Sequence, residues 1–395
     1  MRPIPMAPGV HWIGAMDPQL RVFDVVMRAE HGTTYNSYLV KGSAGCAVIE
    51  TSKAKFTESY LENLSTLVRF AEITHVVVNH TEPDHSGALD ALLEEATSAK
   101  VVASKNAVPF IRAILNRDVN VEVAQDGHRV DLGGATLEFI EAPFLHWPDT
   151  MFTFHREQGI LFPCDFLGSH FADERMFDNR VDDFSHSFRY YFDVIFRPFK
   201  EHVRKGLDRI EGLPIQMIAP SHGPILRTDI HRYIGSYRDW SREPARGPRP
   251  RVLVLYASSY GNTARMARSL ADGASEAGAE VAFFDLEAAQ PGDLLGEVES
   301  ADALAVGSLT INGDAVKPVW DFLSSLATLR LRGKAAAAFG SFGWSGEAVK
   351  LIEDRLKGLK FKVPFEGIRA QLVPTAEDLA ACRDLGGRLA ASVKR

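Results

Sequence analysis

The sequence predicts an α/β protein in two domains, the second a doubly wound parallel sheet. Three observations carry the prediction. Residues 241–250 hold three prolines and one glycine without apolar periodicity, which reads as an extended, solvated connector. Directly after it, residues 251–256 form an apolar run of strand length, the pattern of a strand buried on both faces. From there to the end, strand-like and helix-like stretches alternate as βαβ units do. The boundary falls at 246/247, dividing the 395 residues into 1–246 and 247–395.

In the first domain, strands are expected at 34–40 and 45–50 around a turn at Lys41-Gly42-Ser43, followed by a helix over 56–70. A strand rich in β-branched residues, 73–78, runs straight into a polar segment at 79–87. Further strands are expected at 119–123 and 136–140. In the second domain the strands are 251–256, 280–284, 302–307, 334–339 and 366–371, with helices between them. No internal repeat interrupts either domain.

Composition excludes several classes of function. There are 44 basic and 51 acidic residues, a net charge of −7, and the pI is near 6.0. No long basic run accompanies that balance, so neither nucleic acid nor an anionic membrane is an expected partner. Hydrophobic residues make up 46% and charged residues 24%, with a mean hydropathy of −0.08, as in a folded globular chain. No apolar run is long enough to span a bilayer, and the first residues lack the apolar core of a secretory signal. Only three cysteines occur, Cys46, Cys164 and Cys382, far apart in sequence. A disulfide framework is therefore excluded, and a reducing, cytoplasmic setting is expected.

Two places carry chemistry. The first is at the end of the 73–78 strand, where His80, Glu82, Asp84 and His85 follow one another. Alternate side chains of an extended chain share a face, so His80, Glu82 and Asp84 are expected to converge, with His85 turned inward where the chain bends at Ser86-Gly87. This is enough ligand capacity for more than one metal ion. His146, Asp165 and His222 are further candidates, each on a Pro- or Gly-flanked loop after an apolar stretch, where rigid scaffolds place functional groups. A histidine taken singly is an ordinary hydrogen-bonded residue; the combination is what points to metal.

The second place follows the 251–256 strand. Ser258, Ser259, Tyr260, Gly261, Asn262 and Thr263 form a small, hydroxyl-rich turn before a helix from about residue 264, offering backbone N–H groups and hydroxyls to an anion. It is neither a GxGxxG nor a Walker A loop. Two more loops lie at C-terminal strand edges, where open α/β sheets bind ligands. One holds Ser308, Leu309, Thr310, Ile311 and Asn312; the other holds Ser341, Phe342, Gly343, Trp344, Ser345 and Gly346. Trp344, among glycines, is placed to stack on a planar ring.

The ligand set resembles that of the metallo-β-lactamase fold, an αββα sandwich that binds two metals at strand ends. Hydrolases of that fold usually carry His-x-His-x-Asp-His, whereas here the second histidine is Glu82. Imidazole-rich sites suit zinc and added carboxylate oxygen suits iron or manganese. The three loops of the second domain resemble the FMN site of flavodoxins, although Leu309 replaces the usual proline of the middle loop. A metallo-β-lactamase-like αββα domain joined to a flavodoxin-like domain resembles the flavodiiron proteins (A-type flavoproteins). The stretch 162–170 is the looser match, at Cys164 and Ser169, while His170 keeps a histidine that the family places behind the ligands.

The resemblance implies one iron on His80, Glu82 and His146, a second on Asp84, His85 and His222, and Asp165 as the bridge. It implies that FMN feeds electrons to this pair, which reduces O2 to water or NO to N2O. No paired Cys-x-x-Cys motif is present, so electrons are expected from a separate donor, a rubredoxin or a flavin reductase. A head-to-tail homodimer, or a dimer of such dimers, is likewise implied. Second-sphere candidates are His170, Tyr190 and Tyr191. Two rival readings stand beside this one: a binuclear zinc hydrolase with a flavin-binding regulatory domain, and an electron carrier using the second domain alone.

Overall fold

The computed structural model describes residues 2–25 and 27–393. The chain divides into two compact units, Met1–Arg242 and Glu243–Arg395.

Two sheets make the centre of the first unit. A seven-stranded sheet runs in the order Ile4–Ala7, Val10–Trp12, Tyr38–Lys41, Cys46–Ile49, Ile73–Val78, Lys100–Ser104, Val121–Ala124. A five-stranded sheet runs Arg129–Asp131, Thr136–Glu141, Met151–His155, Ile160–Phe162, Met217–Ile218. The strands of the larger sheet divide their side chains by parity. Val40, Ala47, Ile49, Val77 and Val102 join Phe139 and Phe162 of the other sheet in one core. Leu39, Val48, Val76, Val78, Val101 and Ala103 face the opposite way, onto helices Thr57–Ser65, Leu89–Glu95 and Ala107–Leu115. On the far side of the five-stranded sheet, Phe152, Phe154 and Leu161 pack against helices Ser185–Tyr191, Lys200–Ile210 and Ile230–Trp240. The result is an αββα sandwich, and burial on both faces is why its strands read as continuous apolar runs.

Two expected elements differ. The strand over 34–40 is broken into Thr33–Tyr35 and Tyr38–Lys41, which belong to different sheets. The break is at Asn36, fully buried, whose Nδ2 donates to the carbonyls of Pro220 (2.7 Å) and Gly223 (3.0 Å) while its Oδ1 accepts from Trp12 Nε1 (2.8 Å). The Asn36 backbone N–H also goes to that loop, donating to Ser221 O (2.8 Å) instead of to a neighbouring strand. The helix over 56–70 extends only from Thr57 to Ser65; beyond it Leu67 N bonds Leu64 O in a tighter turn, and the hydroxyls of Ser65 and Thr66 bond the carbonyls of Glu62 and Asn63.

The second unit is a five-stranded parallel sheet in the order Glu280–Asp285, Arg251–Tyr256, Ala303–Gly307, Ala335–Phe342, Ile368–Gln371. Leu253 and Leu255 enter one helix-covered core, Val252 and Val254 the other. The strand order reverses beside Arg251–Tyr256, so the crevice of the topological switch opens at the C-terminal ends of that strand and its neighbour Ala303–Gly307. The fourth strand continues to Phe342, past the expected 339, because residues 339–342 pair with Ile368–Gln371. No helix among the described residues is long and apolar enough to cross a membrane.

Asn36→Ala removes three buried hydrogen bonds and strands the Gly223 carbonyl and the Trp12 indole, while Pro220 O keeps the Tyr38 hydroxyl (2.6 Å). It is expected to destabilise the first unit by about 2–4 kcal/mol, read as a lowered thermal midpoint for that unit with the second unit's transition unmoved.

Candidate functional site

The strand Ile73–Val78 delivers its polar tail to one edge of the sandwich. Asn79 anchors the exit: its Nδ2 donates to Phe162 O and its Oδ1 accepts from Thr153 Oγ1. The tail is not extended, as alternation had predicted. Pro83 starts a helical turn, Pro83–Ser86, closed by Ser86 Oγ donating to the carbonyls of Thr81 and Glu82. The turn separates the ligands into two groups instead of aligning three on one face. His80 and Glu82 point to one side; Asp84 and His85 serve the other.

The downstream loops supply the rest. His146 lies between strands Thr136–Glu141 and Met151–His155, in a loop stitched by Thr150 Oγ1, which donates to Ala142 O (2.6 Å) and accepts from Leu145 N (3.1 Å). Asp165 follows Ile160–Phe162, after Cys164 in a left-handed conformation (φ 55°). His222 is on the loop that Asn36 holds, and Gly223 behind it has φ 78°, with Ser169 O only 2.4 Å from where a Cβ would sit.

All seven predicted residues meet. Glu82 Oε2 is 3.2 Å from both His80 Nε2 and His146 Nε2. Asp165 Oδ2 is 3.7 Å and 3.5 Å from the same two nitrogens. On the other side, Asp165 Oδ1 lies 3.2 Å from His85 Nε2 and 3.3 Å from His222 Nε2. Asp84 Oδ2 is 3.1 Å from His222 Nε2, and its Oδ1 is 3.5 Å from His85 Nε2. Each oxygen of Asp165 thus faces a different group. Donor–donor edges of this length are those of a polyhedron around an ion with bonds of about 2.1 Å. Both oxygens of Asp84 and both ring nitrogens of His85 are buried without a hydrogen-bond partner. Orphans of this kind among mutually facing acids and imidazoles fit two metal ions.

Hydrogen bonds behind the ligands set their tautomers. His80 Nδ1 is 3.2 Å from Asp149 Oδ2, which also accepts from Thr81 N and Oγ1. His222 Nδ1 is 2.6 Å from Thr34 O. Both leave Nε2 for a metal. Tyr191 donates to Asp165 Oδ1 at 3.0 Å. His170, buried, bonds Thr33 Oγ1 through Nδ1 (2.8 Å) and lines a cavity of about 230 Å³ together with Tyr190 and His186. Sequence reasoning named His170, Tyr190 and Tyr191 without placing them, and missed Asp149, Glu50, Thr34 and Asn36. Asp149 had a signal, an acid in the same Pro-containing loop as His146.

Electrostatics point the same way. Burial alone would strip His80, His85 and His146 of protons, yet the carboxylates beside them push all three up to about 10. Burial works against ionised Asp165 as well, but His85, His146 and His222 hold it well below the usual range. Glu50 behind the cluster is pushed up to about 8 by burial, against the pull of His85 and His80. A metal ion at these nitrogens would compete with protons for the same positions.

In the second unit, Gly261 (φ 77°) turns the 258–263 loop into the helix Asn262–Glu276. The loop is tied to its neighbours: Ser258 Oγ accepts from Ala264 N (3.2 Å), and Thr263 Oγ1 meets Ser341 Oγ at 2.8 Å. Ser308 Oγ donates to Leu309 O and accepts from Val316 N, so this hydroxyl shapes its own loop. Thr310–Ile311 and Asp314–Ala315 form a small hairpin around an Asn312-Gly313 turn, both residues at positive φ, where the sequence suggests only a loop. Tyr260 and Trp344 are 91% and 82% exposed, a costly display of aromatic surface that a flat ring would cover.

Two family models match the chain: ODP family beta lactamase over residues 33–223 and Flavodoxin over 254–386. Type A flavoprotein fprA of Rhodobacter capsulatus is 46% identical, over 98% of this chain and 91% of its own length. A nitric oxide reductase of Moorella thermoacetica is 36% identical over 99% of both chains. The solved rubredoxin oxygen:oxidoreductase of Desulfovibrio gigas superposes with a TM-score of 0.74 at 28% identity, covering 99% of this chain and 98% of that one.

Two substitutions separate the sites. Asp165→Ala is expected to lose or scramble the metal pair while flavin content is unchanged, measured as metal and flavin per chain. Trp344→Ala is expected to weaken flavin binding about 3–10-fold, the worth of one aromatic stack, with metal content near normal in the same assay.

Proposed function

This chain belongs to the flavodiiron family of A-type flavoproteins, and we propose that it reduces O2 to water, NO to N2O, or both. It is an oxidoreductase whose cofactors are FMN and a non-haem diiron centre. The observation that carries the reading is Asp165, each of whose oxygens faces a separate group of donors. His80, Glu82 and His146 would hold one iron and Asp84, His85 and His222 the other, with Asp165 serving both.

When bound, FMN and the iron pair together would store up to four electrons, the number that complete reduction of O2 consumes. The chain supplies orientation and seclusion. Asp149 and Thr34 O hold their histidines as Nε2 donors. Burial of His80, His85, Asp165 and His222 to 1% exposure or less keeps bulk water from the inner ligands. Tyr191, by its hydrogen bond to Oδ1, fixes the orientation of the Asp165 carboxylate between the two groups of donors. The 258–263 loop and helix N-terminus would receive the flavin phosphate, and the exposed Trp344 and Tyr260 would cover the ring.

Relatives named for nitric oxide and for oxygen both match along nearly the whole chain, which supports either gas as substrate. A separate electron donor, a rubredoxin or a flavin reductase, completes the proposal, together with a head-to-tail homodimer or a dimer of dimers. A reducing, cytoplasmic setting agrees with Cys46, Cys164 and Cys382, all buried and free. The zinc hydrolase reading is not favoured, since Glu82 adds a carboxylate where a hydrolase carries imidazole and the whole-length relatives are oxidoreductases.

The test is anaerobic. Two irons and one FMN per chain, with rapid reoxidation of the reduced protein by O2 or NO added separately, are expected, and the faster gas is the preferred substrate. Zinc in the site, ester turnover and slow reoxidation would overturn the proposal.

A further inference from the structure

Reading the cluster as a diiron site leaves one acid and one imidazole nitrogen unexplained. Glu50 ends the strand Cys46–Ile49 in a left-handed conformation (φ 61°) and is 1% exposed. Its polar groups are nearly all in use. The backbone N–H donates to Val77 O (2.9 Å), the carbonyl accepts from Ser37 Oγ (2.8 Å), and Oε1 accepts from Asn79 N (2.6 Å). Only Oε2 is buried without a partner. A buried carboxylate oxygen left unpaired is costly, so its retention calls for a group to receive it.

His85 is that group. Its carbonyl accepts from both Thr51 N (2.8 Å) and Thr51 Oγ1 (2.6 Å), which docks its backbone on the residue after Glu50. Its Nε2 faces forward, 3.2 Å from Asp165 Oδ1. A histidine that gives Nε2 to a metal carries its proton on Nδ1, and that N–H needs an acceptor. His80 has Asp149 and His222 has Thr34 O, whereas His85 Nδ1 is buried without a partner. A Glu50 carboxylate oxygen, a His85 ring nitrogen and Cys164 Sγ lie within 4.8 Å of one another, and of the two possible acceptors the thiol is much the weaker.

We infer that Glu50 is the positioning residue for His85: its free oxygen accepts the Nδ1–H and fixes the ring that completes the Asp84–His85–His222 seat. The inference rests on the diiron reading of those ligands. It extends to the third histidine the support already visible behind two others. It also explains why an acid ends an apolar strand at a point where no solvent reaches it.

The test is Glu50→Gln in the full chain, which keeps the size and the acceptor for Asn79 N–H but sets an amide donor against the imidazole N–H. One of the two bound ions is expected to lose about 10–100-fold in affinity, measured by chelator competition, with the other ion and FMN content unchanged. The Mössbauer spectrum should alter at one iron, and Glu50→Asp should recover part of the loss. A parent chain that holds two ions and a Glu50→Gln variant that holds both equally well overturns the inference alone. A parent that takes up no metal overturns the diiron reading and the inference with it. If Glu50→Gln does not fold, nitrogen-15 NMR of the zinc-loaded parent decides. A slowly exchanging Nδ1–H on His85 supports the inference; its absence beside those of His80 and His222 overturns it.

Discussion

Three carboxylates and four imidazoles face one another in a nearly dry pocket, and the rest of the first unit is arranged around that fact. Glu82, Asp84 and Asp165 carry three negative charges into a region where an unpaired charge is prohibitively expensive. Burial opposes charge on His80, His85 and His146, but the carboxylates push all three pKa values up, so the pocket favours positive charge at these positions. Metal ions supply the same compensation with directional bonds, so the donors must be aimed before the ions arrive. Thr150 stitches the His146 loop, Asn36 ties down the His222 loop, and the Pro83 turn divides the first four ligands. Each fixes backbone, which is the economical way to aim a side chain.

What the sequence disclosed and what it hid follow from this division. Acids and imidazoles at strand ends are conspicuous, so the meeting of His80, Glu82, Asp84, His85, His146, Asp165 and His222 at one edge was legible. Strands buried on both faces were legible too, as apolar runs such as 73–78 and 251–256. The path of the chain between the ligands was not. Residues 80–85 looked like a strand tail because period-two spacing and a Pro-initiated helical turn leave the same acids and histidines in the same order. Asn36 and Thr34 were invisible because their role is to hydrogen-bond residues nearly two hundred positions away, a relation no local pattern encodes. Asp149 stood in plain view beside His146, but as an acid in a turn it had an ordinary explanation.

The second unit solves a different problem, recognition of a ligand with an anionic end and a flat apolar end. Its strand order opens a crevice beside Arg251–Tyr256, and hydroxyls from separate loops lock together there, Thr263 with Ser341. Loops cross-linked in this way lose little entropy on binding, because they are ordered already. Tyr260 and Trp344 remain outside that network and largely exposed. Rigid donors for the phosphate end and exposed aromatics for the ring end match the two halves of a flavin nucleotide.

Exposure also separates the ligands of the first unit. The side chains of Glu82 and His146 are 17% and 16% exposed, while the other five range from 0% to 7%. The site therefore meets solvent along the edge that these two residues form. Among the ligands it is Glu82, the position that departs from the hydrolase pattern, that brings its charge to this edge. An anion costs least to desolvate where desolvation is least complete, so the added carboxylate sits at the one place in the cluster that can accept it cheaply. Its oxygen lowers the imidazole share of that seat and makes it harder in the acid–base sense, which favours iron over zinc. The substitution that identifies the chemistry is thus also the one the electrostatics of the pocket tolerate best.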